Sequence, residues 1–356
     1  MKILLLFNHN QIIGGGEISF ARYINHIARR IDLEISVFIP SGGDLEKYLK
    51  IDKTKIISFE IPSFKSNPKK VVECVVNFYK IFKTFKPDIV HTNGSRVALY
   101  SNIAKIFTST KTIWHVRIAE KDLLDLILVP TSDGIIANSK KTLEKRFSWL
   151  RKNKWDKKIK IIYNGFDISE IQDRLKKTIN SIHKYQEHIV VGSAGRLELG
   201  KGFEYLLNFA EILSYREKIQ LVLAGTGPLE NKLKEIPKNL KAVFPGYIPI
   251  ENILKASDIV CFPSLVDSFG NLIVESMIAG KVCMVSEMCG ASEIYPIDAL
   301  KFNPKSFESF LRSFYYAKEN IRNIELSQTL KSEAEKFSID RHSESVLEYY
   351  ETIAQK

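Results

Sequence analysis

The sequence predicts an α/β protein made of two doubly wound parallel sheets, each the core of a Rossmann-like domain. Three observations predict it. The 356 residues exceed one ordinary domain of roughly 100–200 residues. Strand-like apolar runs alternate with helix-spaced apolar residues through both halves, the pattern of a parallel sheet with crossover helices. Glycine-rich loops follow the opening strand of each half, at Gly14-Gly15-Gly16 and from Gly195 to Gly202. Two such domains meeting at a central cleft place the carboxyl ends of both sheets, where ligands bind, on facing walls.

In the first half, Ile3 to Phe7 reads as a buried strand, too short and too soon broken by Asn8-His9-Asn10 to be a signal peptide. A helix from about Glu17 to Arg30 leads to a strand at Ile35 to Phe38. Over Pro68 to Lys86, Val71, Val75, Phe78 and Phe82 recur at helical spacing, and Pro87-Asp88 ends that helix before a strand at Ile89 to His91. Thr112 to His115 is the next strand. The second half repeats the pattern with strands at Ile189 to Ala194, Leu221 to Ala224, Ile259 to Phe262 and Val282 to Ser286. Helices at Phe203 to Leu213 and Leu229 to Lys234 lie between them. The expected limits are a first domain at 1–168, a polar linker at 169–187, a second domain at 188–336 and a helical segment at 337–356. The apolar residues of the last helix, about Arg341 to Ala354, suit either domain.

Bulk properties narrow the class. No run reaches the roughly 18 apolar residues of a membrane-spanning helix, and the four cysteines form no CxxC pair. A reducing cytoplasmic location is expected. The net charge of +11 is unevenly shared. Residues 1–186 carry 33 basic and 18 acidic side chains, +15, and residues 187–356 carry 19 and 23, −4. Between 140 and 160 stand Lys140, Lys141, Lys145, Arg146, Arg151, Lys152, Lys154, Lys157, Lys158 and Lys160, interleaved with Phe147, Trp149, Leu150 and Trp155. Cations among tryptophans suit an anionic bilayer surface and a peripheral membrane contact, and a solvated helix and loop is the competing reading. No nucleic-acid-binding motif is present.

Three segments carry chemistry. Gly14-Gly15-Gly16-Glu17 opens the first helix, where glycines let backbone N–H groups approach an anion or merely permit a turn. Arg196 and Lys201 lie in a glycine-flanked loop, where two cations can neutralise a departing diphosphate. The spacing is not that of a Walker A loop. Asp267-Ser268-Phe269-Gly270-Asn271-Leu272-Ile273-Val274-Glu275 follows a strand, with Ser268 as the expected helix cap and carboxylates at both ends suited to sugar hydroxyls.

These segments resemble the retaining glycosyltransferases of the GT-B fold, the group 1 or family four type, which also build bacterial surface polysaccharides and lipopolysaccharide. Asp267 to Glu275 around Phe269-Gly270 is similar to that family's signature. So, in order and spacing, are Ile161 to Asp167, Ala224-Gly225-Thr226-Gly227-Pro228-Leu229 and Phe244-Pro245-Gly246-Tyr247. The resemblance implies that Arg196 and Lys201 bind the donor diphosphate, Glu275 takes the ribose hydroxyls and Asp267 holds the donor sugar. It further implies that backbone at Phe269, Gly270, Asn271 and Leu272 contacts sugar and phosphate, and that the Gly15-Gly16 turn closes over the diphosphate. The Gly225 and Gly227 loop belongs to the donor site, backbone near Tyr247 and Ile248 meets the base, and His115 is the active-site histidine. Two positions depart from the pattern: Asp267 stands where Glu is usual, and Val116-Arg117 stands where an acidic residue often follows the histidine.

The expected activity is hexosyl transfer from a nucleotide diphosphate sugar, such as a UDP-sugar, to a lipid-linked or oligosaccharide acceptor, with retention at the anomeric carbon. No Asp-x-Asp pair occurs, so neither metal nor other cofactor is expected, and fixed cations carry the leaving charge. The alternatives are a nucleotide-sugar-binding scaffold without turnover and a nucleotide-sugar epimerase. A dinucleotide dehydrogenase is disfavoured by the missing GxGxxG fingerprint.

Overall fold

The computed structural model describes residues 1–150, 158–235 and 239–355. The chain divides into two compact units, one of Met1–Phe166 with Ile339–Lys356 and one of Asp167–Ser338. Residues 169–187, expected as a linker, thus fall inside the second unit, and the chain returns to the first at Ile339.

In the first unit the strands are β1 (Lys2–Phe7), β2 (Glu34–Pro40), β3 (Ile56–Phe59), β4 (Ile89–Asn93), β5 (Lys111–Val116), β6 (Gly134–Ala137) and β7 (Ile159–Ile161). They form one parallel sheet in the order β3-β2-β1-β4-β5-β6-β7. Side chains alternate across a strand, and β1 is buried on both faces, so its run is continuously apolar. Ile3, Leu5 and Phe7 pack on one face with Phe20 and Ile24 of the helix Gly15–Ile27. Leu4 and Leu6 pack on the other with Phe78 and Phe82 of the helix Pro68–Phe85.

The final helix, Ile339–Ala354, contributes Val346, Tyr350 and Ile353 to the same face as Ile3 and Leu5. Its start is tied by the Ile339 N–H donating to the Phe166 carbonyl at 2.8 Å. Tyr349 accepts from the Ile135 N–H at 3.1 Å and donates to the Lys158 carbonyl at 2.5 Å.

The basic stretch at 140–160 is only in part a surface. Arg146 and Asp125 are 3 % and 1 % exposed and form an ion pair at 2.7 Å. The guanidinium also lies over Trp114, whose ring meets Phe147 edge-on. Arg146 and Phe147 therefore belong to the core, and the Asp125 carboxylate and the Trp114 ring compensate the burial of the Arg146 charge. Lys158 is likewise engaged, donating to the Pro130 and Ser132 carbonyls. Lys140 and Lys145 are exposed. Arg151, Lys152, Lys154, Trp155 and Lys157 lie outside the described residues.

The second unit has β8 (Ile189–Ala194), β9 (Ile219–Ala224), β10 (Lys241–Val243), β11 (Ile259–Phe262), β12 (Cys283–Ser286) and β13 (Lys301–Phe302). Their order is β10-β9-β8-β11-β12-β13, again all parallel. The helix Ile168–Lys177 docks here through buried Ile171 and through Arg174 Nε, 2.8 Å from the Glu251 carboxylate. Each sheet reverses its direction of growth once, between β1 and β4 and between β8 and β11. The carboxyl ends at those switch points are where open α/β sheets bind ligands.

Candidate active site

At the switch point of the second unit the loops after β8, β9 and β11 interlock through their backbones. The Leu197 N–H donates to the Thr226 carbonyl at 2.9 Å, and the Leu229 N–H to the Leu197 carbonyl at 2.9 Å. The Leu265 N–H donates to the Gly200 carbonyl at 2.8 Å. This close stacking explains the glycines. Gly225 has φ +131°, and a Cβ there would stand 1.9 Å from the Gly195 carbonyl oxygen. Gly202 has φ +72° and would meet the Pro263 carbonyl oxygen at 2.0 Å. No L side chain fits either place. Gly227 is hemmed in similarly by the Leu197 backbone.

The loop cluster presents its charges in pairs. Lys201 Nζ lies 2.5 Å from Asp267 Oδ2, both side chains being mostly buried. Asp267 Oδ1 also accepts from the Phe269 N–H at 3.1 Å, which fixes the carboxylate. Arg196 is exposed and pairs with Glu198 at 2.9 Å. Phe269 is buried, and its carbonyl accepts from the Ala291 N–H at 2.6 Å.

The helix that follows is Asn271–Ile278, and its N-cap is Gly270 at φ +98°, with no side-chain cap bond. The expected cap at Ser268 is therefore corrected: the chain turns at Gly270, beside the Phe262 ring, where a Cβ would come within 2.9 Å. Asn271 and Leu272 are the first two helical residues, and half-buried Glu275 stands one turn further on. Gly246, whose carbonyl accepts from the Gly225 N–H at 2.8 Å, brings Tyr247 and Ile248 beside the β9 loop. The Tyr247 ring is exposed, and Ile248 packs half-buried against the core.

In the first unit, Gly15 and Gly16 are not a turn but the first two residues of the helix Gly15–Ile27. Gly14 is the extended N-cap, and its N–H donates to Glu17 Oε2 at 3.1 Å, which closes the first turn. Gly16 faces Arg117: a Cβ at Gly16 would lie 3.3 Å from Arg117 Cδ.

His115 has no exposed surface and belongs to a buried polar chain. Tyr23 Oη donates to Tyr350 Oη at 3.2 Å, and Tyr350 Oη bonds His91 Nδ1. His91 Nε2 lies 3.1 Å from His115 Nδ1, and the two rings stack. Arg117 Nη2 approaches the same His115 Nδ1 at 3.4 Å. A guanidinium has no acceptor, so Nδ1 of His115 carries the lone pair facing it. His91 Nε2 then donates, His91 Nδ1 accepts from Tyr350, and the His115 proton sits on Nε2, which has no partner among the described residues. Burial holds His91, His115 and His342 well below the ordinary histidine range, with the Arg117 charge adding to the effect, so all three are neutral near pH 7.

Two family profiles cover most of the chain: one described as Glycosyl transferases group 1 matches residues 176–336, and one described as Glycosyltransferase Family 4 matches residues 13–170. The chain belongs to the GT-B glycosyltransferases. Among this family member's relatives are two uncharacterized glycosyltransferases of Methanocaldococcus jannaschii. One is 30 % identical over 43 % of this chain and 43 % of its own length. The other is 27 % identical over 65 % of this chain and 64 % of its own. This chain thus spans less than two thirds of either protein. The UDP-Gal:alpha-D-GlcNAc-diphosphoundecaprenol alpha-1,3-galactosyltransferase of Escherichia coli is 26 % identical over 72 % of each chain. In fold, this GT-B chain is similar to Anabaena Alr3699/HepE solved with UDP, with a TM-score of 0.75 at 19 % identity, covering 99 % of this chain and 100 % of that one. It is also similar to a glycosyltransferase from Rickettsia africae, with a TM-score of 0.78 at 19 % identity, covering 99 % and 98 %.

Within this GT-B chain, the structure gathers Arg196, Lys201, Gly225, Gly227, Asp267, Phe269 and Gly270 at one end of the second sheet and His115 at the same end of the first. His91, Tyr350 and the polar partners of Arg117 were missed by sequence reasoning. Their one sequence signal is a polar residue inside an otherwise apolar strand, as in Ile89-Val90-His91.

Proposed function

We propose that this chain transfers a hexosyl group from a nucleotide diphosphate sugar to a lipid-linked or oligosaccharide acceptor, with retention at the anomeric carbon and without a bound metal. The observation that carries the reading is the interlocked loop cluster of the second unit, with Lys201 held against Asp267 and Arg196 exposed beside it. A UDP-sugar is the favoured donor, since HepE was solved with UDP and the Escherichia coli relative is named for UDP-Gal.

In this reading the acceptor hydroxyl oxygen bonds the anomeric carbon as the bond from that carbon to the diphosphate oxygen breaks. The acceptor proton passes to the departing diphosphate. Arg196 and Lys201 stabilise the charge that develops on the leaving oxygens, and the amino-terminal turn of the helix Asn271–Ile278 adds its dipole. Asp267 fixes Lys201 before substrate arrives and accepts from a sugar hydroxyl once it does. Glu275 takes the ribose hydroxyls, and backbone near Tyr247 and Ile248 meets the base. Exposed cations of the first unit, Lys140 and Lys145 among them, hold the protein to an anionic membrane surface that presents the acceptor.

The test is a donor screen with UDP-, GDP- and ADP-sugars in excess chelator, following nucleoside diphosphate release, with proton NMR of the product to read the anomeric configuration. One donor is expected to be consumed, and Lys201→Ala to slow release by roughly 100- to 1,000-fold. Calorimetric donor binding without release, even with membrane lipid extract as acceptor, would instead make the chain a nucleotide-sugar-binding scaffold.

A further inference from the structure

The buried chain from Tyr23 to His115 admits two directions of donation, and they differ in what His115 offers. In the first, Tyr23 Oη donates to Tyr350 Oη, Tyr350 Oη to His91 Nδ1 and His91 Nε2 to His115 Nδ1. A proton is then left on His115 Nε2, an atom with no partner among the described residues. In the second, every bond is reversed and His115 Nε2 holds a lone pair. Two observations exclude the second. Reversal puts a proton on His115 Nδ1 facing Arg117 Nη2, 3.4 Å away, so that donor meets donor. It also takes from the Tyr23 hydroxyl its acceptor, because Tyr23 has no exposed surface and Tyr350 is its one hydrogen-bond partner among the described residues. The surroundings are apolar, Ile3, Leu5, Phe7 and Phe20 among them, and a buried O–H without an acceptor is costly there.

Tyr350 is the pivot of this choice. Once it accepts from Tyr23, its own proton is committed to His91, and His91 Nε2 is committed as donor to His115. The His91 ring stacks on His115 with centroids 5.2 Å apart, and it meets Phe20 at 4.9 Å and Tyr350 edge-on at 5.7 Å, which holds its nitrogens in place. Tyr350 itself is placed by the last helix. Its neighbour Tyr349 ties the same turn to the Ile135 N–H and the Lys158 carbonyl. Gly134 of β6 makes room for that ring, since a Cβ there would stand 2.7 Å from Tyr349 Oη. A residue 259 positions beyond His91 thus reaches His91 on β4 and, through it, His115 on β5.

We propose that Tyr350 and His91 are positioning residues that fix the tautomer of His115, so that its Nε2 is a hydrogen-bond donor to a substrate oxygen and not a base. A neutral imidazole with its proton on Nε2 and its lone pair occupied from behind has nothing with which to take a proton. This agrees with the acceptor proton passing to the departing diphosphate. That the oxygen belongs to a substrate of glycosyl transfer rests on the proposed function; the tautomer does not.

Long-range proton–nitrogen NMR spectra of the nitrogen-15-labelled chain at pH 7 read imidazole tautomers directly, with the His115 signals assigned from their loss in His115→Gln. His91 and His115 should both carry the proton on Nε2. His342 is the internal contrast: its Nδ1 faces the Tyr163 carbonyl at 2.7 Å and must donate, so its proton sits on Nδ1. In Tyr350→Phe the nitrogen shifts of His91 and His115 should move toward the average of the two tautomers. The kcat for nucleoside diphosphate release should fall roughly 10-fold, the effect of one hydrogen bond. The loss in Tyr350→Phe/His115→Gln should be no greater than in His115→Gln alone, because Tyr350 acts through His115. Should Tyr350→Phe fail to fold by circular dichroism, Tyr23→Phe frees the Tyr350 hydroxyl to accept and should give the same averaging. A native His115 with its proton on Nδ1 overturns the proposal. So do unchanged tautomers in the folded variants, or a Tyr350→Phe loss that adds to that of His115→Gln, the outcomes for a tyrosine that only stabilises the fold. Tautomers that behave as stated in a chain that consumes no donor sink the transfer reading and leave the positioning of His115 standing.

Discussion

Gly225 and Gly200 both adopt positive φ, +131° and +92°, in the loops of the second unit, but for different reasons. A Cβ on Gly225 runs into the Gly195 backbone, whereas one on Gly200 meets nothing within 4 Å. Alanine at Gly200 should cost only the backbone strain, about 1–2 kcal/mol. Alanine at Gly225 adds a clash with main chain that cannot move aside, and should cost more than about 3 kcal/mol. Urea unfolding midpoints of the two variants check this, and equal shifts would refute the stacked-loop account. The chemistry of these loops was legible in the sequence, since Arg196, Lys201 and Asp267 declare themselves by type and spacing. That Lys201 and Asp267 grip one another was not, because 66 residues separate them and only the parallel neighbours β8 and β11 bring their loops together.

At the scale of elements, β4, β5 and the helix Ile339–Ala354 each contribute a buried neutral histidine to the first unit: His91, His115 and His342. Their folded pKa values are depressed, to about 3 for His342, whereas the unfolded chain titrates near 6.5. Below pH 6.5 the unfolded state therefore binds protons that the folded state refuses. The stability these groups allow is present above that pH and is lost as pH falls toward the folded values. Each histidine weakens the unit by about 1.4 kcal/mol per pH unit in that window. Denaturant unfolding at pH 7 and pH 5 should show a marked loss, and His342→Gln should lessen it; a flat profile would mean these groups titrate freely. Long apolar strands such as β1 and β8 are readable from sequence, since both faces are covered. The short edge strands β10 and β13 are not, for three and two residues carry no period. The first glycine run misled for a related reason: Gly15 and Gly16 lie in helical backbone, and the neighbour that favours Gly16 is Arg117, a hundred residues on.

For the molecule as a whole, the charge partition of +15 against −4 acts together with a surface the sequence did not reveal. The helices Ser95–Ala104 and Asp125–Thr131 pack together, and Ile103, Leu126 and Ile127 are exposed on them, with Phe107 and Leu123 on flanking segments. Among the described residues no helix is long and apolar enough to cross a membrane. Apolar side chains in a strongly basic unit should give surface binding. The chain should sediment with phosphatidylglycerol vesicles but not with phosphatidylcholine, less so at high salt and less so for Phe107→Ser/Leu123→Ser. Equal sedimentation with both lipids would remove the membrane contact from the proposed function. The sequence by itself determined the two-sheet class, the position of the loops that carry chemistry, and the family, because those depend on local periodicity and on residues close together in the chain. Only the tertiary structure decided that the last helix returns to the first unit, that Arg146 is core, that His115 is buried behind Tyr350 and His91, and that Arg117 has no ion-pair partner among the described residues. Burial and pairing are properties of neighbours in space, and parallel strands joined by long crossovers place those neighbours far apart in sequence.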